Sequence, residues 1–175
     1  MPSQYRVGYL PDVQYSGAMS VIVAYRGKTS YGIGADSGAF EDSGLYQQSK
    51  VSKVWRCGDA LLGAAGSGRV GHVAQNSKLS DPYQLADFLL TQNIAGEWSL
   101  LVVNPKQIAE ICDDGSVFTF TDRYSAIGAG NQVALGALAI ATREWTDPRK
   151  ILLSSLSASS HHHRYCTAPY TVMVF

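Results

Sequence analysis

Ser20-Val21-Ile22-Val23-Ala24-Tyr25-Arg26-Gly27-Lys28-Thr29-Ser30-Tyr31-Gly32-Ile33-Gly34-Ala35-Asp36 is the stretch on which the fold turns. Its first six residues form an apolar run rich in β-branched side chains. Arg26-Gly27-Lys28 supplies a turn, and Tyr31 to Asp36 predicts a return strand. A second hairpin follows. Val51-Ser52-Lys53-Val54-Trp55 alternates like a strand, Gly58-Asp59 turns, and Ala60-Leu61-Leu62-Gly63-Ala64-Ala65 comes back. Two antiparallel hairpins therefore open the domain.

Outward from these hairpins the pattern changes on both sides. Residues Met1 to Ala18 carry five turn-formers (Pro2, Gly8, Pro11, Asp12, Gly17) and no sustained periodicity. They read as an arm or pro-segment, which makes 1–19 a leader and 20–175 the domain proper. C-terminal to the hairpins, Asp81-Pro82 combines an N-cap with a first-turn proline, and Leu85, Phe88 and Leu89 continue at helical spacing. Leu100 to Val103, Ile108 to Cys112 and Val117 to Phe120 predict strands, the last two joined by a turn at Asp113-Asp114-Gly115. Asn131 to Trp145 is rich in Ala and Leu and predicts a helix. Asp147-Pro148 repeats the cap-plus-proline signal for a last helix from Arg149 to about Ser159, and Tyr170 to Phe175 closes as a strand. Hairpins, helices, strands, helices and a strand suit an α+β sheet sandwich with helices outside.

Composition narrows the function. The chain has 175 residues, the size of one domain. Lys plus Arg number 14 and Asp plus Glu number 14, a formal net charge of zero. A nucleic-acid binder draws its affinity from a basic surface, so that class has no support. Charged residues are only 16% of the chain and hydrophobic residues 46%, against about 25% charged in an average domain, a balance that suits surface hidden in an assembly. Apolar runs such as Ala137 to Ala141 fall far below the ~18 residues of a membrane span, and no secretory leader opens the chain. Cys57, Cys112 and Cys166 cannot all pair, which fits a reducing, cytoplasmic compartment. His161-His162-His163 sits at a helix end, where neighbouring side chains diverge. A surface role is preferred there over a metal site, and no cofactor is expected.

Gly66-Ser67-Gly68-Arg69-Val70-Gly71 matches G-x-G-x-x-G. As a dinucleotide fingerprint it would need a βαβ unit with a parallel second strand, whereas hairpins precede it and Leu79-Ser80-Asp81-Pro82 leads into another helix. Two other readings stand: a tight strand-to-helix turn, or an oxyanion hole formed by exposed backbone N–H groups.

Taken together, Ala18-Met19-Ser20-Val21-Ile22-Val23, Gly34-Ala35-Asp36-Ser37-Gly38-Ala39, Lys50-Val51-Ser52-Lys53-Val54 and Gly63-Ala64-Ala65-Gly66-Ser67-Gly68 resemble, in order and spacing, the proteasome β-subunit and its bacterial relative HslV. These are N-terminal-nucleophile hydrolases. Ala126-Ile127-Gly128-Ala129-Gly130 is similar to the family's glycine–serine–glycine turn before a helix, and Tyr170 to Phe175 to its closing strand. The resemblance runs from about Met19 to the C-terminus and implies a four-layer αββα sandwich.

Carried over by position, the resemblance implies Ser20 as nucleophile, Asp36 as the buried aspartate, Lys53 as the lysine beside the nucleophile and Gly66 as the oxyanion-hole glycine. The resemblance also implies Ala64 as the base of a substrate pocket, where a small residue would leave room for a large apolar side chain. The chemistry is coherent: a free α-amine titrates near ~7.7–8.0 and takes the proton from its own hydroxyl. Lys53 would lower the hydroxyl pKa, with Asp36 compensating its charge. Each residue also has a plainer reading. Ser20 would be an ordinary strand-start serine, Asp36 an acceptor for the following turn, and Lys53 a solvent-facing strand residue.

Four positions depart from the family pattern. Ser20 stands where the family has threonine, and Met19 where proteasome pro-segments have glycine. Ala129 replaces a serine. Arg164 falls where proteasome subunits have an aspartate, while Thr167 keeps a hydroxyl nearby. In the chain as written Ser20 lies in peptide linkage and has no α-amine. Autolysis after Met19, or translation from Met19 with loss of the initiator, would free one. The expected function is a self-compartmentalising peptidase subunit forming a homo-oligomeric ring, acting on peptide or unfolded protein, with an ATPase unfoldase as candidate partner. The alternative is a catalytically inactive proteasome-fold ring or scaffold protein, such as a structural component of a larger particle like a virion, that keeps its leader.

Overall fold

The computed structural model describes residues 20–40, 46–48 and 52–175. The expected leader, together with Lys50 and Val51, lies outside the described residues. The elements in chain order are β1 (Ile22–Arg26), β2 (Tyr31–Asp36), β3 (Gly38–Phe40), β4 (Tyr46–Gln48), β5 (Val54–Cys57), β6 (Ala60–Gly66), α1 (Gly68–Ser77), α2 (Pro82–Leu90), β7 (Trp98–Val103), β8 (Ile108–Cys112), β9 (Val117–Phe120), β10 (Tyr124–Ile127), α3 (Asn131–Glu144), α4 (Pro148–His162) and β11 (Tyr170–Val174).

Two antiparallel sheets carry the architecture, ordered β10-β1-β2-β11 and β5-β6-β7-β8-β9. Both expected hairpins form: Val23 stands opposite Gly34 in the first, and Trp55 opposite Leu62 in the second. Strand alternation then sorts the side chains into three apolar layers. Ile22, Ala24 and Ile33 meet Val54, Leu61, Leu101 and Ile108 between the sheets. Val21, Val23 and Tyr25 point the other way, onto Leu138 of α3 and Ile151, Leu152 and Leu156 of α4. Leu62, Leu100 and Val102 pack outward against Val70 and Ala74 of α1 and Leu85 and Leu89 of α2. Helix, sheet, sheet, helix: the αββα sandwich is present.

The first sheet approaches α4 closely because β2 is rich in glycine. A Cβ on Gly32 would stand 2.8 Å from Leu152 of α4, and one on Gly34 2.9 Å from Leu156. The helix starts follow local chemistry. Asp81 accepts from the backbone N–H groups of Tyr83 and Gln84, and Asp147 from that of Arg149, each followed by proline at the first helical position.

Three expectations need correction. Of the strand expected over Val51 to Trp55, the described residues Ser52 and Lys53 precede β5, which begins at Val54, because Ser52 Oγ turns back on the chain, donating to Val54 O at 2.7 Å and accepting from Val54 N at 3.3 Å. A strand over Tyr124 to Ile127 was not expected at all; it pairs with β1, Ile22 opposite Ile127. The dinucleotide reading of Gly66 to Gly71 fails, since β6 is flanked by β5 and β7, both antiparallel.

Candidate active site

The site grows from the ends of β1 and β2. Asp36 ends β2 with its carboxylate shut off from solvent. A buried carboxylate needs donors on its lone pairs, and four are in place. Oδ1 accepts from Val21 N at 3.0 Å and from Lys53 Nζ at 2.9 Å. Oδ2 accepts from Gly38 N at 2.9 Å and Thr167 N at 3.3 Å. Asp36 thus knots β1, the β2–β3 corner and the segment before β11, which is more than the local turn role that a lone aspartate would fill.

Lys53 precedes β5 and turns inward, its side chain 15% exposed. Besides Asp36, its Nζ donates to Ser20 Oγ at 2.7 Å and to Gly38 O at 2.5 Å. An ammonium has three N–H donors, so all three are engaged.

Ser20 is buried at the start of β1, held from behind by the Gly128-Ala129-Gly130 turn. Gly130 N donates to Ser20 O at 3.3 Å. Gly128 has φ +88°, and a Cβ there would lie 2.3 Å from Ser20 O, so only glycine fits. The same Cβ would stand 3.5 Å from Ala65 of β6, which puts the end of β6 against the turn that holds Ser20.

Gly66 is the next residue. It is not part of the hydrogen-bonded cluster of Ser20, Asp36 and Lys53, but ends β6 at φ +93°, with 2.3 Å between a hypothetical Cβ and Glu97 O. Ala64 lies on the face of β6 opposite to that of Ala65, against α1. Its N donates to Lys53 O at 3.0 Å, and a Cβ on Gly71 of α1 would rest 3.4 Å from its own.

The departures resolve unevenly. Arg164 is exposed and lies over the ring of Tyr165, 4.4 Å from its centroid, so it brings no hydrogen-bonded cation into the cluster. Thr167 meets Asp36 through its backbone N–H. Ala129 lines a cleft of about 640 Å³ with Gly128, Glu110, Cys112 and His163. His161 and His162 stand edge to face with centroids 5.0 Å apart, and among the described residues no group of three or more His, Cys, Asp or Glu side chains is placed to hold a metal ion. No helix of the described residues is long and apolar enough to cross a membrane.

Three participants escaped sequence reasoning. Gly38 supplies a carbonyl to Lys53 and Val21 an N–H to Asp36; both contacts use backbone atoms, which residue type does not reveal. Cys166 is 1% exposed and its sulfur packs against Gly130. Burial, and then the Asp36 charge, push its thiol pKa up to about 12.

No protein-family model and no curated protein matches the chain. Solved structures do. Thiobacillus denitrificans BPH in complex with epoxomicin superposes with a TM-score of 0.77 at 19% identity, over 89% of this chain and 97% of that one. HslV from Trypanosoma brucei gives 0.75 at 21% identity, over 88% and 98%. The Gly-1 mutant of Anbu from Hyphomicrobium sp. strain MC1 gives 0.68 at 13%, over 89% and 81%. The chain carries the HslV-like, proteasome-type N-terminal-nucleophile hydrolase fold that its sequence resemblance implied.

Proposed function

We propose that this chain is a peptidase subunit in which Ser20, once it is the N-terminal residue, attacks the carbonyl carbon of a peptide bond. The observation that carries this reading is the fan of Lys53 Nζ onto Ser20 Oγ, Asp36 Oδ1 and Gly38 O. The liberated α-amine takes the proton of the Ser20 hydroxyl, and Oγ forms a bond to the substrate carbonyl carbon. The carbonyl π electrons move to oxygen, where the Gly66 N–H is the proposed donor; one such donor is worth about 2.7–4 kcal/mol. Collapse expels the leaving amine, which takes the proton from the Ser20 ammonium. Water then repeats the sequence on the ester and frees Ser20. Lys53 keeps its protons throughout and stabilises the alkoxide as it forms.

Ala64, beside Gly71 and under α1, is the proposed pocket base and favours a large apolar substrate side chain. The proposed assembly is a homo-oligomeric ring in the cytoplasm, with an ATPase unfoldase as candidate feeder of unfolded protein. Exposed Leu90, Phe118 and Ile140, the last 66% accessible, suit faces covered by neighbouring copies.

A second reading has one specific observation behind it: Ala129 offers no hydroxyl where the family has serine. On that reading the chain is a silent ring or scaffold protein. A peptide epoxyketone separates the two, since it is captured by a hydroxyl and an amine on one residue; the structure of BPH is of its complex with epoxomicin. Capture at Ser20 supports the peptidase; an unmodified but matured N-terminal Ser20 supports the scaffold.

A further inference from the structure

Behind the turn that grips Ser20 stands a pair of side chains with no assigned role. Cys166 Sγ lies 3.8 Å from His163 Nδ1, and the Cys166 backbone N donates to His163 O at 3.0 Å. Gly130 closes against this pair: a Cβ on Gly130 would come within 2.5 Å of Cys166 Sγ. The sulfur therefore occupies the space that glycine leaves open. Gly130 is held by three hydrogen bonds, its N–H donating to Ser20 O and its carbonyl accepting from Ser159 Oγ at 3.2 Å and Ala134 N at 3.1 Å. A continuous line of contacts runs from the end of α4 through His163, Cys166 and Gly130 to Ser20.

We propose that Cys166 and His163 are positioning residues of the Ser20 site, fixing the Gly128–Gly130 turn and through it the direction of the Ser20 backbone. The inference rests on the peptidase reading. Cys166 is not itself a nucleophile, because it is sealed from solvent and remains a thiol. Burial, and then the neighbouring Arg164, lower the His163 pKa, and the ring meets the thiol through Nδ1. A sulfur suits the place because its radius reaches both Gly130 and the imidazole. Where the family's serine is replaced by Ala129, order at the turn has to come from behind it, and this pair supplies it.

The test uses the matured, assembled protein with Cys166→Ala, Cys166→Ser and His163→Ala, each checked by thermal unfolding. Displacing a reacting group by a fraction of an ångström costs turnover more than binding, so Cys166→Ala is expected to lower kcat about tenfold or more with KM within about twofold. Cys166→Ser, which keeps a donor and acceptor there, is expected to recover most of that loss. His163→Ala should reproduce the kcat loss, and it reads the same contact if Cys166→Ala fails to fold. Wild-type rates in Cys166→Ala and His163→Ala, or a change confined to KM, overturn the inference while the peptidase reading stands. Wild-type protein that neither turns over nor captures an epoxyketone overturns both.

Discussion

Lys53 Nζ stands 2.7 Å from Ser20 Oγ across 33 residues of sequence, and the same nitrogen is 2.9 Å from the buried carboxylate of Asp36. Strand pairing alone does not produce this. Lys53 stands just before β5 with its carbonyl still accepting from Ala64 N at 3.0 Å, and its side chain reaches the end of β1 and not the solvent.

Removing the cation leaves Asp36 charged and enclosed. Lys53→Met is expected to cost about 3–5 kcal/mol of stability, the usual consequence of breaking a buried pair from one side, and to abolish hydrolysis. Adding Asp36→Asn should return part of the stability and none of the activity. Denaturant unfolding of the two variants checks the first effect, and peptide turnover the second.

Gly66 and Gly128 have positive φ and no room for a Cβ. Gly66→Ala is expected to lose about 1–3 kcal/mol through backbone strain. If its N–H serves the oxyanion, kcat should fall about 10²–10³-fold as well. Gly128→Ala drives its methyl into Ser20 O and should slow epoxyketone capture, because it moves the nucleophile itself. Ordinary kcat in a folded Gly66→Ala protein would remove the oxyanion assignment.

The helix starts were legible because they are local. Asp81-Pro82 and Asp147-Pro148 announce themselves within two residues, and the cap bonds form as expected. The sandwich was legible for a similar reason: β1, β2 and β6 are apolar runs bounded by turns. Tyr124 to Ile127 was missed because four residues running into a glycine turn carry little strand signal; pairing with β1 makes it a strand. Of the site, Ser20, Asp36 and Lys53 could be named from the family resemblance, but whether Lys53 faced inward could not be read from alternation. Gly38 O, Val21 N and the Cys166–His163 pair depend on where distant segments meet, and no local pattern encodes that.

Burial raises the Glu110 pKa above its ordinary value of 4.5, opposed by a hydrogen bond with Ser99. The folded carboxyl then holds its proton more tightly than the unfolded one. Its ionisation costs stability at pH values above the folded pKa, and that cost disappears below the ordinary value. Glu110→Gln is accordingly expected to raise the unfolding temperature at neutral pH and to leave it unchanged near pH 4, which thermal melts across that range will show.

The three thiols should react in a set order. Cys166 is 1% exposed with its pKa pushed up to about 12, and Cys112, half-buried among Glu110, Asp114 and Asp113, is pushed up to about 11. Cys57 is raised by burial and then by Asp59, and is itself partly exposed. Alkylation of the native protein at mildly alkaline pH, followed by peptide mapping, is expected to label Cys57 first and Cys166 last. Early labelling of Cys166 would contradict its place behind the turn.

The most direct test of the account is mass analysis of the purified, assembled protein after incubation with a peptide epoxyketone. The account predicts chains beginning at Ser20 that carry one equivalent of the reagent on that residue, with no adduct in Ser20→Ala. Chains that begin at Ser20 and stay unmodified while folded would contradict it.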